Sequence, residues 1–221
     1  VLALALQAGV KMYTLKSPDG KVKLEVTAGQ GIAYSLFYDG RLLLKPSRIA
    51  LHTDLPEADH WENIRITGTK QRHVSETVQA PFYRVKEFGI DCNELELRLN
   101  NGFSLLMRAY NDGMAYRFVA GRKGEMTVVE ERAEFNFADD FEAYIPYSTN
   151  PKDPWNMAFQ NFYTKAPLTQ YNTELPAFLP LTVDAGAVKL TLLESDLEAY
   201  PGMFVRGDGK TPALKRVFAA Y

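Results

Sequence analysis

Little in this chain of 221 residues announces chemistry of its own. There is one cysteine, Cys92, so no internal disulfide forms, and a zinc site built on that thiol would need several of only three histidines. Cys92 therefore reads as a free, inert thiol. No run reaches the ~18 apolar residues of a membrane span. Lys and Arg (25) and Asp and Glu (27) are interspersed and the net charge is −2, so there is neither a basic patch for nucleic acid nor an acidic tail. Gly-rich phosphate loops, a nucleophile elbow and Ser-His-Asp order are missing as well. No long segment keeps a 3.6-residue period, and βαβ alternation is absent.

What is present is turns. SPDG (17–20), YDGR (38–41), NNG (100–102), NDG (111–113), DAGA (184–187) and GDGK (207–210) separate short runs such as KVKLEV (21–26), ELELRL (94–99) and AVKLTLL (187–193). Period-2 alternation bounded by Gly, Asn and Asp is the hairpin signal. It predicts ten or more strands, with one short helix or an ordered loop near DPWNMAFQNFYT (153–164). With no repeat and no linker, the expectation is an all-β chain, one large antiparallel sandwich over residues 9–221. The first eight residues, VLALALQA, resemble the tail of a secretory signal peptide, which would place the mature protein outside the cytoplasm. The alternative is an N-terminal strand or helix packed on the domain.

The middle hairpins are predicted in register by keeping apolar faces together. A three-residue loop, 100–102, with Gly102 as left-handed bulge residue sets Leu97 against Leu105 and Leu95 against Met107. The same test selects Asp112-Gly113 as the next loop, pairing Ala109 with Tyr116 and Met107 with Phe118. Arg108 then faces Arg117 on the other side, with Glu94 across from Arg108. Facing like charges cost ~0.2–1 kcal/mol unless acids flank them. The expectation is a structural ladder of Glu94, Arg108 and Arg117, completed by an acid of 128–135.

RAYNDGMAYRF (108–118), the opening SPDGKVKLEV with its YSLFYDGRLLLKPSRIAL hairpin, and LLESDLEAYPGMFV (192–205) follow one another in an order that resembles the N-terminal domain of glycoside hydrolase family 97. The resemblance implies a large two-sheet β-super-sandwich of the galactose mutarotase kind. In the family it precedes a catalytic (β/α)₈ barrel of an exo-acting α-glucosidase or α-galactosidase, typically exported to the periplasm or beyond by Bacteroidetes-type bacteria. By that resemblance the chain is a fragment, stopping a strand or two before the domain closes and without the barrel, and inactive alone. The resemblance also implies a site residue: a glutamate of this domain reaches a calcium ion at the barrel's mouth, and Glu194 stands at that position, with Ser195 and Asp196 as weaker neighbours. Calcium takes 6–8 oxygen ligands, so one glutamate needs the barrel's to bind well.

Other residues carry weaker signals. Trp155, Asn156 and Asn161 sit in an aromatic, proline-rich stretch (144–163) and suit a sugar's C–H face and hydroxyls, although rings in a sandwich more often pack internally. His52, His60 and His73 are scattered and no spacing sets them on one face. Glu130-Glu131 and Asp139-Asp140 are adjacent pairs, whose side chains point to opposite faces of a strand and do not serve as an acid–base couple. Besides the accessory domain of an α-glycosidase, two readings remain at this level: a stand-alone carbohydrate-binding sandwich, and an aldose-epimerase-like enzyme.

Overall fold

The computed structural model describes residues 10–59, 61–121, 123–157, 159–195, 197 and 200–219. The leader-like stretch 1–8, His60 and Asp196 lie outside them. Fifteen strands follow in order: β1 (Lys11–Lys16), β2 (Val22–Gly29), β3 (Gly31–Tyr38), β4 (Arg41–Thr53), β5 (Ile66–Gln79), β6 (Glu87–Leu99), β7 (Phe103–Tyr110), β8 (Gly113–Ala120), β9 (Val128–Asn136), β10 (Glu142–Ile145), β11 (Thr164–Pro167), β12 (Leu181–Ala185), β13 (Val188–Leu192), β14 (Phe204–Gly207) and β15 (Ala213–Val217). All their pairings described are antiparallel, and the only helical pieces among the described residues are two 3₁₀ turns, Trp61–Asn63 and Leu168–Gln170. The described residues of 153–163 hold no helix: 153–157 are bends and a turn, 159–163 are irregular, and β11 begins at Thr164. Each of the six turn signals falls at a strand-to-strand connection, because Asn, Asp and Gly tolerate the backbone a hairpin needs. Asp39 (φ 48°) and Gly40 (φ 79°) show this directly, both being left-handed as a two-residue hairpin loop demands.

The chain groups into two compact units, residues 1–42 with 51–129 and residues 43–50 with 130–221. Their boundaries fall within or at strands β4 and β9. No linker composition marks the division for that reason.

In the first unit, β1, β2 and β3 form a meander whose inward row is Val22, Leu24, Val26 and Ala28 beside Ile32, Tyr34 and Leu36. This row packs on the sheet β5-β6-β7-β8, whose inner face is Leu95, Leu97, Leu99, Phe103, Leu105, Met107 and Ala109, all buried. Trp61 closes one end, edge-on to Phe118 at 5.2 Å, with its indole N–H donated to the Leu51 carbonyl at 3.0 Å. Cys92 is fully buried, and burial pushes its thiol pKa up.

The first predicted hairpin register is present: Leu97 faces Leu105, Leu95 faces Met107, and Gly102 is left-handed at φ 85°. The second differs. Its loop is Asn111-Asp112, so Met107 faces Tyr116, Ala109 faces Met114, and Arg108 faces Ala115 rather than Arg117. The shift is two residues, which leaves every side chain on its expected face and so is invisible to hydrophobic patterning. The Asn111 carboxamide oxygen accepts the Asp19 backbone N–H at 3.0 Å, an anchor that fixes Asn111 in the turn.

In the second unit, the strand order β4-β9-β15-β14 forms one sheet and β11-β10-β12-β13 another. Ala177 ties them, bridging Tyr147 beyond β10 and Val205 in β14. Tyr171 lies beneath β14 and shares its hydroxyl proton between the carbonyls of Val205 (2.8 Å) and Leu175 (3.0 Å). A Cβ on Gly207 would come within 2.8 Å of the Tyr171 ring. Gly207→Ala is therefore expected to lower stability by about 1–3 kcal/mol through overpacking. A denaturant midpoint equal to wild type would show that the buried Tyr171 can give way.

Candidate functional site

Strand β13 ends at Leu192, and two residues further on Glu194 folds back against the segment that leads into β14. Both of its carboxylate oxygens lie within reach of the Met203 backbone N–H, at 2.8 and 2.7 Å. Gly202 lies directly beside the carboxylate, where a Cβ would meet it at 3.4 Å. Glu194 is half-buried, and Ser195 beside it is exposed.

The next residue along, Phe204, receives the aromatic loop. Trp155 meets the Phe204 ring edge-on at 4.9 Å, Phe159 leans on it at 5.6 Å, and Phe159 in turn meets Phe178 at 5.2 Å. Two residues singled out separately in the sequence, Trp155 and Glu194, thus meet consecutive positions, 204 and 203. The loop is tied down by Ser148, fully buried, whose hydroxyl donates to the Pro154 carbonyl at 2.9 Å. The Trp155 ring is engaged in packing. Asn161 donates its amide to the Tyr147 carbonyl and leaves its side-chain oxygen buried with no hydrogen-bond donor, while Asn156 is exposed.

A buried polar group holds the other side of the segment, and the sequence did not reveal it. Arg216 of β15 is ion-paired with Glu131 of β9 and donates from Nη2 to the Pro201 carbonyl at 2.9 Å. The Tyr200 hydroxyl donates to the same Glu131 carboxylate at 2.6 Å. The guanidinium lies 5.0 Å from the Tyr200 ring and 4.5 Å from that of Phe218, within cation–π range of both. Burial, then the bond to Glu131, pushes the Tyr200 pKa upward. These bonds fix residues 200 and 201, immediately before the Gly202-Met203 backbone that carries the Glu194 carboxylate.

The arginine ladder lies in the first unit. Glu94, 5% exposed, accepts from Arg108 Nε at 2.8 Å, as the pairing of β6 with β7 predicts. Its other oxygen accepts from Arg72 Nε at 2.6 Å, a partner on β5 not foreseen in the sequence. Arg117 stands opposite Leu106, outside that Glu94–Arg108 rung. Elsewhere His52 bonds Asp59 at 2.6 Å, and His73 contacts Asn93 (3.0 Å) and Asp91 (3.2 Å). Asp140 accepts from the Thr169 hydroxyl and N–H, Glu131 turns inward and Glu130 is exposed. Among the described residues no group of three His, Cys, Asp or Glu gathers closely enough to hold a metal ion.

The described residues thus form a layered antiparallel β protein in which one carboxylate, Glu194, is oriented by the Met203 backbone N–H beside an aromatic loop. Residues 15–220 match the family described as glycosyl-hydrolase 97 N-terminal, and the chain belongs to that family. It is 39% identical over 225 residues to a retaining alpha-galactosidase of Bacteroides thetaiotaomicron, covering 99% of this chain and 34% of that protein. A probable retaining alpha-galactosidase of Streptomyces bingchenggensis is 26% identical over 70% of this chain and 24% of its own length. The chain therefore spans about a third or less of the curated relatives it matches. Among solved structures, a glycoside hydrolase family 97 enzyme from Pseudoalteromonas sp. strain K8, in complex with acarbose, superposes with a TM-score of 0.76 at 18% identity, over 93% of this chain and 32% of that one. A beta-arabinopyranosidase gives 0.79 at 20% identity, over 97% and 36%. At those identities the likeness is one of fold.

Proposed function

We propose that this chain is the accessory domain of an exo-acting, exported α-glycosidase, packing on a catalytic (β/α)₈ barrel of the same polypeptide and supplying Glu194 as one ligand to a calcium ion there. The observation that carries the reading is a family match over nearly the whole chain, joined to relatives about three times as long. The name of both curated relatives favours an α-galactoside as substrate over an α-glucoside.

Glu194 fits the role in part. It is a half-buried carboxylate held by a backbone N–H, which orients it and leaves lone pairs on both oxygens for a hard cation. It is one oxygen donor group where calcium takes 6–8 ligands, so the remaining ligands belong to the rest of the polypeptide. Bound calcium would polarise the leaving oxygen and steady the sugar. The task of this chain is to hold the carboxylate in place: Met203 N–H fixes its direction, and the Glu131–Arg216 pair fixes the backbone behind Met203.

The test is Glu194→Gln in the full-length enzyme, where the amide oxygen keeps the Met203 bond and the local fold. Outer-shell partners alone change metal affinity by about 10–100-fold, so removal of a ligand should raise the calcium concentration for half-saturation at least about tenfold. Saturation is to be followed by calorimetry as well as by activity. An unchanged midpoint would remove Glu194 from the metal site.

A further inference from the structure

β5 and β6 are longer than their sheet. The pairing of β6 with β7 stops at Cys92 opposite Tyr110, yet β5 and β6 continue pairing with each other from Ser75–Asp91 out to Gln79–Glu87. Beyond that lies the loop 80–86, APFYRVK. The result is a two-stranded arm projecting past the sheet edge. Its apolar side chains lie in the open: Phe82 is 102% exposed and Tyr83 66%, with Val78, Val85 and Phe88 also exposed. The Tyr83 and Phe88 rings meet at a tilt, 5.6 Å between ring centres.

Such a feature is costly on its own. A lone two-stranded hairpin is marginal in water, and an apolar tip with two open strand edges invites pairing with other chains. The cost is offset only if something covers the tip. The arm carries charges of both signs, Arg84 and Lys86 beside Glu76 and Glu87, so what its tip lacks is an apolar surface rather than a counter-charge. Five exposed side chains fall short of the ~800 Å² per partner of a standard free-standing interface. They suffice where the partner is tethered to the same chain at an effective concentration of about millimolar. About two-thirds of the Bacteroides thetaiotaomicron relative lies outside the part this chain covers, which leaves length in one polypeptide for such a partner.

We propose that the β5–β6 arm is a docking element that seats Phe82, Tyr83 and Val85 in an apolar pocket on the catalytic portion of its own polypeptide. This rests on the accessory-domain reading and adds the element that makes the contact.

The test is limited trypsin digestion of the full-length enzyme, read by mass spectrometry at the Arg84–Val85 bond. That bond should resist cleavage at every protein concentration. The double variant Phe82→Ser with Tyr83→Ser, which leaves the Arg84–Val85 bond itself unchanged, should be cut there at least about tenfold faster. Wild-type cleavage as fast as that of the variant would overturn the proposal. Protection that fades on dilution would overturn it too, by assigning the arm to a second copy. The calcium midpoint of Glu194→Gln reports separately on the metal role, so docking can hold while that role fails, and the reverse.

Discussion

Glu131→Gln is expected to lower stability by about 3 kcal/mol, the range in which loss of one partner from a buried ion pair falls. The two side chains are 12% and 5% exposed, and the pair lies under Tyr200 and Phe218. Removing the carboxylate charge leaves the Arg216 guanidinium among rings with no opposing charge, its acceptors reduced to the neutral amide oxygen and Pro201 O. Arg216 already has its Nε buried without an acceptor, so little slack remains. A paired substitution, Glu131→Leu with Arg216→Met, should recover most of the loss, because well-packed apolar replacements of a buried pair are near neutral. Chemical denaturation of wild type and the two variants decides the matter. A single variant no less stable than the double would mean that the charges are not coupled in solution. The double variant should still loosen the backbone at Pro201, and with it the carboxylate of Glu194, so its calcium midpoint should rise while its stability does not fall.

The second large effect is at Glu94. Glu94→Ala should cost about 2–4 kcal/mol, below the full value for a buried pair because the partners are partly solvated. The Arg72 side chain is 53% exposed and that of Arg108 28%, while Glu94 is almost enclosed between them. Without the carboxylate, two guanidinium groups face one another across the gap it filled. The pH dependence has a definite sign. Burial works to raise the Glu94 pKa, but the hydrogen bonds from Arg72 and Arg108 and their charges outweigh it, and the net shift is downward. A carboxylate depressed in the folded state stabilises above its unfolded pKa, here the ordinary 4.5, and that contribution is lost as pH falls through the lower folded value. Thermal melts from pH 7 to pH 3 should therefore fall more steeply for wild type than for Glu94→Gln. Parallel slopes would show that the carboxylate titrates alike in both states.

The reading of the sequence succeeded where its rules are local. A turn residue acts on its own backbone, so the six Gly, Asn and Asp signals mark six connections. The faces of β6, β7 and β8 were legible because alternation has a period of two. The register of β7 with β8 was not. A slip of two residues preserves that period, and the anchor that chose between registers is the Asp19–Asn111 bond, which spans 92 residues. Arg72 escaped for a similar reason. β5 reads ITGTKQRHVSETVQ, polar on both faces, and a bulge near its start between Ile66 and Gly68 shifts its pairing. With no apolar row to count from, nothing in the sequence aligns Arg72 with Glu94.

The same division holds at the candidate site. Glu194 stood out by its position after an alternating run and by family resemblance, and Trp155 by its residue type. That both meet one short segment, Met203-Phe204, is a product of tertiary folding. So is the latch behind it, whose members Glu131, Tyr200 and Arg216 are 69 and 85 residues apart from one another across their bonds. By itself the sequence determined that this is an antiparallel β chain, where its strands turn, which faces are apolar and which family it belongs to, because each of these depends on short-range periodicity or on motif order. Beyond the expected Glu94–Arg108 pair, tertiary structure alone decided which charges are partnered, that Arg72 shares Glu94, and which apolar residues are left uncovered on the β5–β6 arm. Those outcomes depend on contacts between distant strands, and a buried charge or an exposed ring acquires its energy only from what is packed around it.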